Sequence, residues 1–255
     1  MSKLATSIVL GATLLSTNAQ ATIVEFVTSV GNIRVNLHDQ TTPKTVENFL
    51  SYVEDGDYQD TVIHRVEPNF VVQGGGFKYK DGFDHDAIDT EDAVENEPKL
   101  SNVKGTIAMA KIAGNPNSAT SQWFFNINDN SANLDIQNGG FTVFGQVIEE
   151  DMAILEEIEA LSRCVNSFGA TPMVDFTNDQ CSSGETPTYD NFVTISRIDI
   201  IDATEVTDTD LPKTPNTLIN QPTDGDTDNN NSSGGGGSLF WLTLLTGLGL
   251  LRRQK

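Results

Sequence analysis

Three stretches of this chain set polar side chains beside aromatic ones on short, strand-like runs. They are His64-Arg65-Val66-Glu67-Pro68-Asn69-Phe70-Val71-Val72-Gln73-Gly74-Gly75, Gly105-Thr106-Ile107-Ala108-Met109-Ala110, and Ser118-Ala119-Thr120-Ser121-Gln122-Trp123-Phe124-Phe125. Period-two counting puts Phe70 and Val72 on one side of the first stretch, and Val71 and Gln73 on the other. Gln73 then sits among apolar groups, which a folded interior tolerates only if the amide finds hydrogen-bond partners. Residue types and spacing therefore describe an apolar pocket with a polar rim. By themselves they specify no reaction.

Other chemistries find no support. The chain has no G-x-S-x-G nucleophile elbow, no glycine-rich phosphate loop and no histidine pair at metal-ligand spacing. His38 and His85 stand among aspartates in expected loops, and His64 lies in an expected strand. Each reads as a solvated or structurally hydrogen-bonded ring, so neither a metal nor a cofactor is expected. Asp224, Asp226 and Asp228 alternate like the start of a calcium loop, but Asn229 replaces the required glycine.

The elements that must position these residues are mostly strands. Ile23 to Thr28 and Ile33 to Leu37 alternate, with Gly31-Asn32 between them. Thr42-Pro43 opens a helix whose Val46, Phe49, Leu50 and Val53 share one face, and Gly56 ends it. Further strands are expected at Thr61 to Val66, Phe70 to Gln73, Gly105 to Ala110, Trp123 to Asn126, Phe141 to Val147 and Asn191 to Ile201. Glu149 to Leu161 reads as a second amphipathic helix, with Leu155, Ile158 and Leu161 inward. The acidic run from Lys78 to Glu97 reads as a long surface loop. Many short strands with two separated helices predict a mainly β chain: a closed antiparallel barrel with helical caps.

These stretches, in this order and at these separations, resemble the signature segments of the cyclophilin family. A fourth, Leu134-Asp135 followed by Phe141-Thr142-Val143-Phe144-Gly145, resembles the family's next block. The resemblance runs from about Ile23 to Ile201 and is nearest the bacterial, periplasmic branch. It implies an eight-stranded closed barrel with two helical caps, and peptidyl-prolyl cis-trans isomerase activity without a cofactor. It implies that Arg65 is the catalytic arginine and that Gln73 helps hold both it and the substrate. Phe70, Met109, Phe124 and Leu134 would line the proline pocket, with Phe141 beside them. Ala110 and Gln122 would flank the bound peptide backbone. Three positions depart from common family patterns: Lys111 stands where eukaryotic members carry asparagine, Asn133 where many carry tryptophan, and Phe141 where many carry histidine. The last two put cyclosporin sensitivity in doubt.

Both ends of the chain read as processing signals. Lys3, the apolar run Ile8 to Leu15 and Ala19-Gln20-Ala21 have the order of a secretory leader, which predicts cleavage after Ala21. That places the domain at residues 22–202. Residues 203–238, rich in Thr, Asp, Asn, Pro and Gly, read as a disordered linker. In residues 239–255 an apolar run, Leu239 to Leu251, spans only about 20 Å as a helix and is followed by basic Arg252, Arg253 and Lys255. With Gly234 to Gly237 before it, this end resembles the Gly-Gly sorting tag of some Gram-negative bacteria, which a rhomboid-type protease is thought to remove. The expected location is therefore the periplasm or cell surface, with the tail engaging membrane and a sorting protease. Cys164 and Cys181 are the only cysteines, and in an exported chain the pair reads as a disulfide. A formal charge of −21 repels nucleic acid and anionic lipid and favours solubility; a monomer is expected. Expected partners are proline-containing segments of exported proteins.

Overall fold

The computed structural model describes residues 22–203 and 213–220. It opens with an antiparallel hairpin of β1 (Ile23–Thr28) and β2 (Gly31–Leu37). Val24, Phe26, Ile33, Val35 and Leu37 alternate onto its inner face and are buried. Gly31 takes φ +146°, and a side chain there would run into Ile154. α1 (Pro43–Glu54) follows with Thr42 at its N-cap and Pro43 in its first turn. The Thr42 hydroxyl does not cap the helix but donates back to the His38 carbonyl.

Next come β3 (Thr61–Val62), β4 (Arg65–Glu67), β5 (Val71–Gly74), β6 (Phe77–Asp81), β7 (Asp84–Ala87), β8 (Thr106–Met109) and β9 (Trp123–Asn126). They are followed by α2 (Ser131–Leu134), β10 (Val143–Val147), α3 (Met152–Ala160), β11 (Ser162–Asn166), β12 (Gly169–Met173), α4 (Asn178–Ser183) and β13 (Thr194–Asp202). One antiparallel sheet holds eleven strands in the order β4-β5-β9-β8-β10-β2-β1-β13-β3-β6-β7, and β11 pairs with β12 separately. The chain is thus mainly β with few helices. The expected eight-stranded closed barrel is not what the pairing shows: the sheet is open, ending at β4 and β7. The reason lies in Thr61 to Val66, expected as one strand. They split at Ile63-His64: Thr61 and Val62 pair towards β13 and β6, whereas Arg65 to Glu67 pair only with β5. The sheet curls round through the covalent chain at this break, not through a continuous ladder.

The principal core lies inside that curl. Phe26 meets Trp123 and Phe125 edge-on at 5.1 and 5.4 Å, and Phe49 of α1 meets Phe144 at 5.1 Å. Leu155 and Ile158 of α3 join the same cluster. The expected second helix is shorter than its pattern: Glu149–Asp151 form a 3₁₀ turn before it, and Leu161 follows it only partly buried.

Three features of the described chain depart from the sequence reading or go beyond it. The acidic run from Lys78 is not all loop, because β6 and β7 form a hairpin across it. Phe77 and Tyr79 alternate inward while the acids face solvent, a pattern hidden by composition. Between α3 and β13 the chain builds a second hairpin, β11–β12, and the short α4. Residues 213–220, expected within a disordered linker, lie against the domain, with Pro215 bridged to Leu100. The Ser101 amide donates to the Thr214 carbonyl and the Asn216 amide to the Lys99 carbonyl, so the missing N–H of Pro215 leaves no gap. The expected leader (1–21) and apolar end (239–255) lie outside the described residues. Among those described, no helix is long and apolar enough to cross a membrane.

The β11–β12 hairpin is tied down twice. Cys164 of β11 is bonded to Cys181 of α4, as expected, with Cα atoms 5.5 Å apart. Phe168, at the turn, packs on Phe77 at 4.6 Å, on His85 at 5.1 Å and on His64 at 6.1 Å. His64 is wholly buried. Desolvation, then the nearby Arg65 charge and His85, hold its imidazole down at about 3.

Two predictions follow from this region. Replacing Cys164 and Cys181 with alanine reopens a loop closed across 17 positions and should cost about 3 kcal/mol in the chain-entropy model. Urea denaturation reads this directly, and an unchanged midpoint would disprove it. For His64, the unfolded imidazole binds a proton near its ordinary 6.5 while the folded one does so only near 3. Its stabilising contribution is present above pH 6.5 and is lost as pH falls towards 3, at about 1.4 kcal/mol per pH unit. His64→Phe should flatten the stability profile between pH 7 and 5 by about 2 kcal/mol relative to the parent chain. Parallel slopes for the two proteins would exclude it.

Candidate active site

Strand register explains why the first and third stretches meet. In the ladder, Arg65 of β4 lies opposite Gln73 of β5, Gln73 opposite Phe124 of β9, and Phe124 opposite Ala108 of β8. Directly paired residues point to the same side of a sheet, so these four form one row across four strands. Val71, two positions before Gln73, points the same way. The opposite face carries Val66, Val72, Phe125, Ile107 and Met109, all in the principal core.

The row's apolar half is a second buried cluster of Val71, Leu100, Ala108, Ala110, Phe124, Leu134, Phe141 and Val143, with Phe70 packed against it. Phe124 and Phe141 meet edge-on at 5.7 Å. Phe141 is anchored by its amide, which donates to the Leu134 carbonyl at 2.8 Å. Lys111 lies over the Phe141 ring, 4.7 Å from its centroid, and its ammonium donates to the carbonyls of Asn138 and Gly140. Burial pulls the Lys111 ammonium down to about 8.

The polar half is a chain of side chains. Arg65 Nη1 donates to Gln73 Oε1 at 3.1 Å, and Gln73 Nε2 donates to Gln122 Oε1 at 3.1 Å. This answers the sequence's question of what satisfies Gln73. Gly76 makes room for Gln122, since a Cβ there would fall 2.7 Å from its side-chain carbons. The Ala110 amide donates to the Gln122 carbonyl at 2.9 Å, joining the two segments. Arg65 Nη2 also pairs with Glu67 at 3.2 Å; the arginine side chain is 3 % exposed and the glutamate 37 %. Burial lowers the guanidinium from its usual range and Glu67 pushes back. Starting so high, the group remains a cation. Its aliphatic part lies against Gly169 of β12, where φ of +109° favours glycine.

Of the expected residues, Arg65, Gln73, Gln122, Phe70, Phe124, Ala110, Leu134 and Phe141 converge here. Phe70 and Gln122 alone among them keep partial exposure. Phe70 is not in the strand expected for it but in the turn before β5, where Asn69 takes φ +55°. Met109 does not join them. It pairs with Trp123 on the inner face and is fully buried in the principal core, because β8 alternates and Ala108 and Ala110 take the other side. Val71 occupies the wall instead. Period-two counting from Gln73 already carried that signal. Glu67 and Lys111 are further groups of the site that residue patterns did not mark as partners of Arg65 and Phe141.

Comparison with known proteins identifies the family. The family model for Cyclophilin type peptidyl-prolyl cis-trans isomerase/CLD matches residues 23–176. A peptidyl-prolyl cis-trans isomerase of Acinetobacter baylyi is 42% identical over 154 residues, covering 60% of this chain and 80% of that protein. Peptidyl-prolyl cis-trans isomerase B of Escherichia coli is 36% identical over 146 residues, covering 55% and 85%. Among solved structures, a cyclophilin type isomerase of Cryptosporidium parvum superposes with a TM-score of 0.50 at 21% identity, covering 71% of this chain and 98% of that one, a likeness of fold. Sequence, sheet register and the convergent site agree: the chain belongs to the cyclophilin-type peptidyl-prolyl cis-trans isomerase family.

Proposed function

We propose that this isomerase acts on prolyl bonds of exported proteins, with Arg65 supplying the rate enhancement. The observation that carries the mechanism is a desolvated guanidinium held beside an apolar wall on one sheet face. A peptide bond resists rotation by ~18–20 kcal/mol because resonance delocalises the nitrogen lone pair. Twisting localises that pair, and the nitrogen becomes a hydrogen-bond acceptor only near the transition state. Arg65 donates to it. Gln73 and Glu67 each occupy one Nη hydrogen, which fixes the guanidinium plane and leaves other hydrogens free. A bond made only in the twisted state lowers the barrier without tightening ground-state binding. The Val71–Phe124–Leu134–Phe141 wall takes the proline ring, and the low local dielectric strengthens the donated bond. Ala110 and Gln122 take the peptide backbone. No step requires a cofactor or proton transfer.

Export rests on the leader-like residues 1–21 and on the disulfide, which persists in an oxidising compartment. The glycine-rich segment and basic apolar end support sorting through a membrane-engaging, cleaved tail. In this reading the mature protein is a monomer of the periplasm or cell surface. Intact mass of the exported form tests it: loss of residues 1–21 and a cut near Gly234 to Leu239 are expected, and a retained Lys255 would replace processing with a permanent anchor.

A protease-coupled assay on a prolyl peptide tests the mechanism. Arg65→Ala should lower turnover roughly thirty- to a thousandfold, the scale of one lost transition-state donor. Arg65→Lys should recover little, since it keeps the charge and loses the planar fork. Phe124→Leu should instead raise KM more than it lowers kcat. Circular dichroism verifies the fold of each variant. A folded Arg65→Ala protein with parental turnover would remove Arg65 from the mechanism.

A further inference from the structure

Residues 213–220 form a strap beyond residues 23–176 that match the family, and it ends in the wall of the site. Asn216 is 8 % exposed, and its backbone amide and both side-chain polar atoms are engaged. Its amide donates to the Lys99 carbonyl, and its Nδ2 to the Asp135 carbonyl at 2.9 Å. Its Oδ1 accepts from the Leu218 and Ile219 amides at 3.0 Å. Gly140 lacks the Cβ that would sit 3.3 Å from Asn216 Nδ2 and 2.8 Å from the Asp135 carbonyl oxygen.

Asp135 is where the strap meets a buried polar network. Its carboxylate accepts from the Asn102 amide and side chain and from the Ser101 hydroxyl. Asn102 Nδ2 also donates to the Phe141 carbonyl at 3.1 Å. Asn126 Nδ2 donates to Asn102 Oδ1, and Asn130 Nδ2 donates to both Asn126 Oδ1 and the Phe70 carbonyl. The network therefore grips the backbones of Phe70 and Phe141, and Asp135 directly follows Leu134. All three neighbours are wall residues. Leu100, a fourth member of that cluster, is bridged to Pro215 of the strap itself.

We propose that the strap is a positioning element of the proline pocket: Asn216 holds the Leu134-Asp135 turn against Leu100 and so fixes the wall on which the ring docks. This rests on the isomerase reading. It touches no reacting atom and leaves the Arg65–Gln73–Gln122 chain alone, so it governs affinity and not the chemical step. A cut beyond the strap leaves the pocket complete, whereas one before Lys213 removes part of it.

The test uses the full chain carrying Asn216→Asp, which keeps the acceptor but loses the donor to Asp135, and Asn216→Ala, which loses both. Prolyl-peptide kinetics and hydrogen exchange of the Phe141 amide are measured together. Expected for both variants are a KM raised about five- to tenfold, kcat within about twofold of the parent, and faster exchange at Phe141. Unchanged KM and exchange, even with a lowered melting temperature, would overturn the proposal by making the strap merely structural; so would a loss confined to kcat. If the parent itself shows no turnover, the isomerase reading fails instead, and Phe141 exchange still decides whether the strap fixes the wall.

Discussion

The site depends on keeping one cation almost entirely out of water. A guanidinium 3 % exposed incurs a desolvation cost that attraction to one partner rarely recovers unless the remaining donors are also directed. Gln73 meets one arm and Glu67 the other. Gln73 is itself held by Gln122, which fits only because Gly76 has no side chain. The hairpin behind adds Gly169 against the aliphatic stem, and the Thr171 hydroxyl donates to the carbonyl of His64, the residue before Arg65. An isolated charge in such surroundings would be a defect; one met on both arms is held in a single orientation.

Orientation comes from a sheet that is buried on both faces over β5, β8 and β9. One face feeds the principal core through Val72, Ile107, Met109, Trp123 and Phe125; the other carries Gln73, Val71, Ala108 and Phe124. Because neighbouring residues point to opposite faces, the core's demand for Trp123 and Phe125 fixes where Phe124 must go. Packing precision in the interior is thereby transferred to the site. The apolar wall needs a separate frame, since Phe70, Leu134 and Phe141 lie in turns and a short helix. Buried Asn102 and Asn130 supply it by donating to the carbonyls of Phe141 and Phe70, while Asp135 and Asn126 accept from those two side-chain amides and hold them in place.

Much of this was legible without coordinates. Alternation marked β1, β2, β5, β9 and β13; the Thr42-Pro43 start and the i, i+3 spacing of Val46 and Phe49 marked α1; and the order of four motifs named the family and pointed to residues that converge on one sheet face. These are local signals, and each is set by steric preference or by one buried face. Cys164 and Cys181 could be paired because no other cysteines compete. What failed was long range. Whether Thr61 to Val66 is one strand or two depends on which neighbours arrive at each half. Met109 and Val71 exchanged places because their faces are decided by pairing with Trp123 and alignment with Gln73. The acid-rich β6–β7 hairpin and the polar strap 213–220 look solvated by composition. They are held by partners far away in sequence: Phe192 and Phe168 for the hairpin, Leu100 and Asp135 for the strap. Sequence determined which residues could do the chemistry. Only the tertiary structure decided which faces they share, because a side chain's face is set by its strand's pairing, and that pairing is made with residues a sequence pattern does not contain.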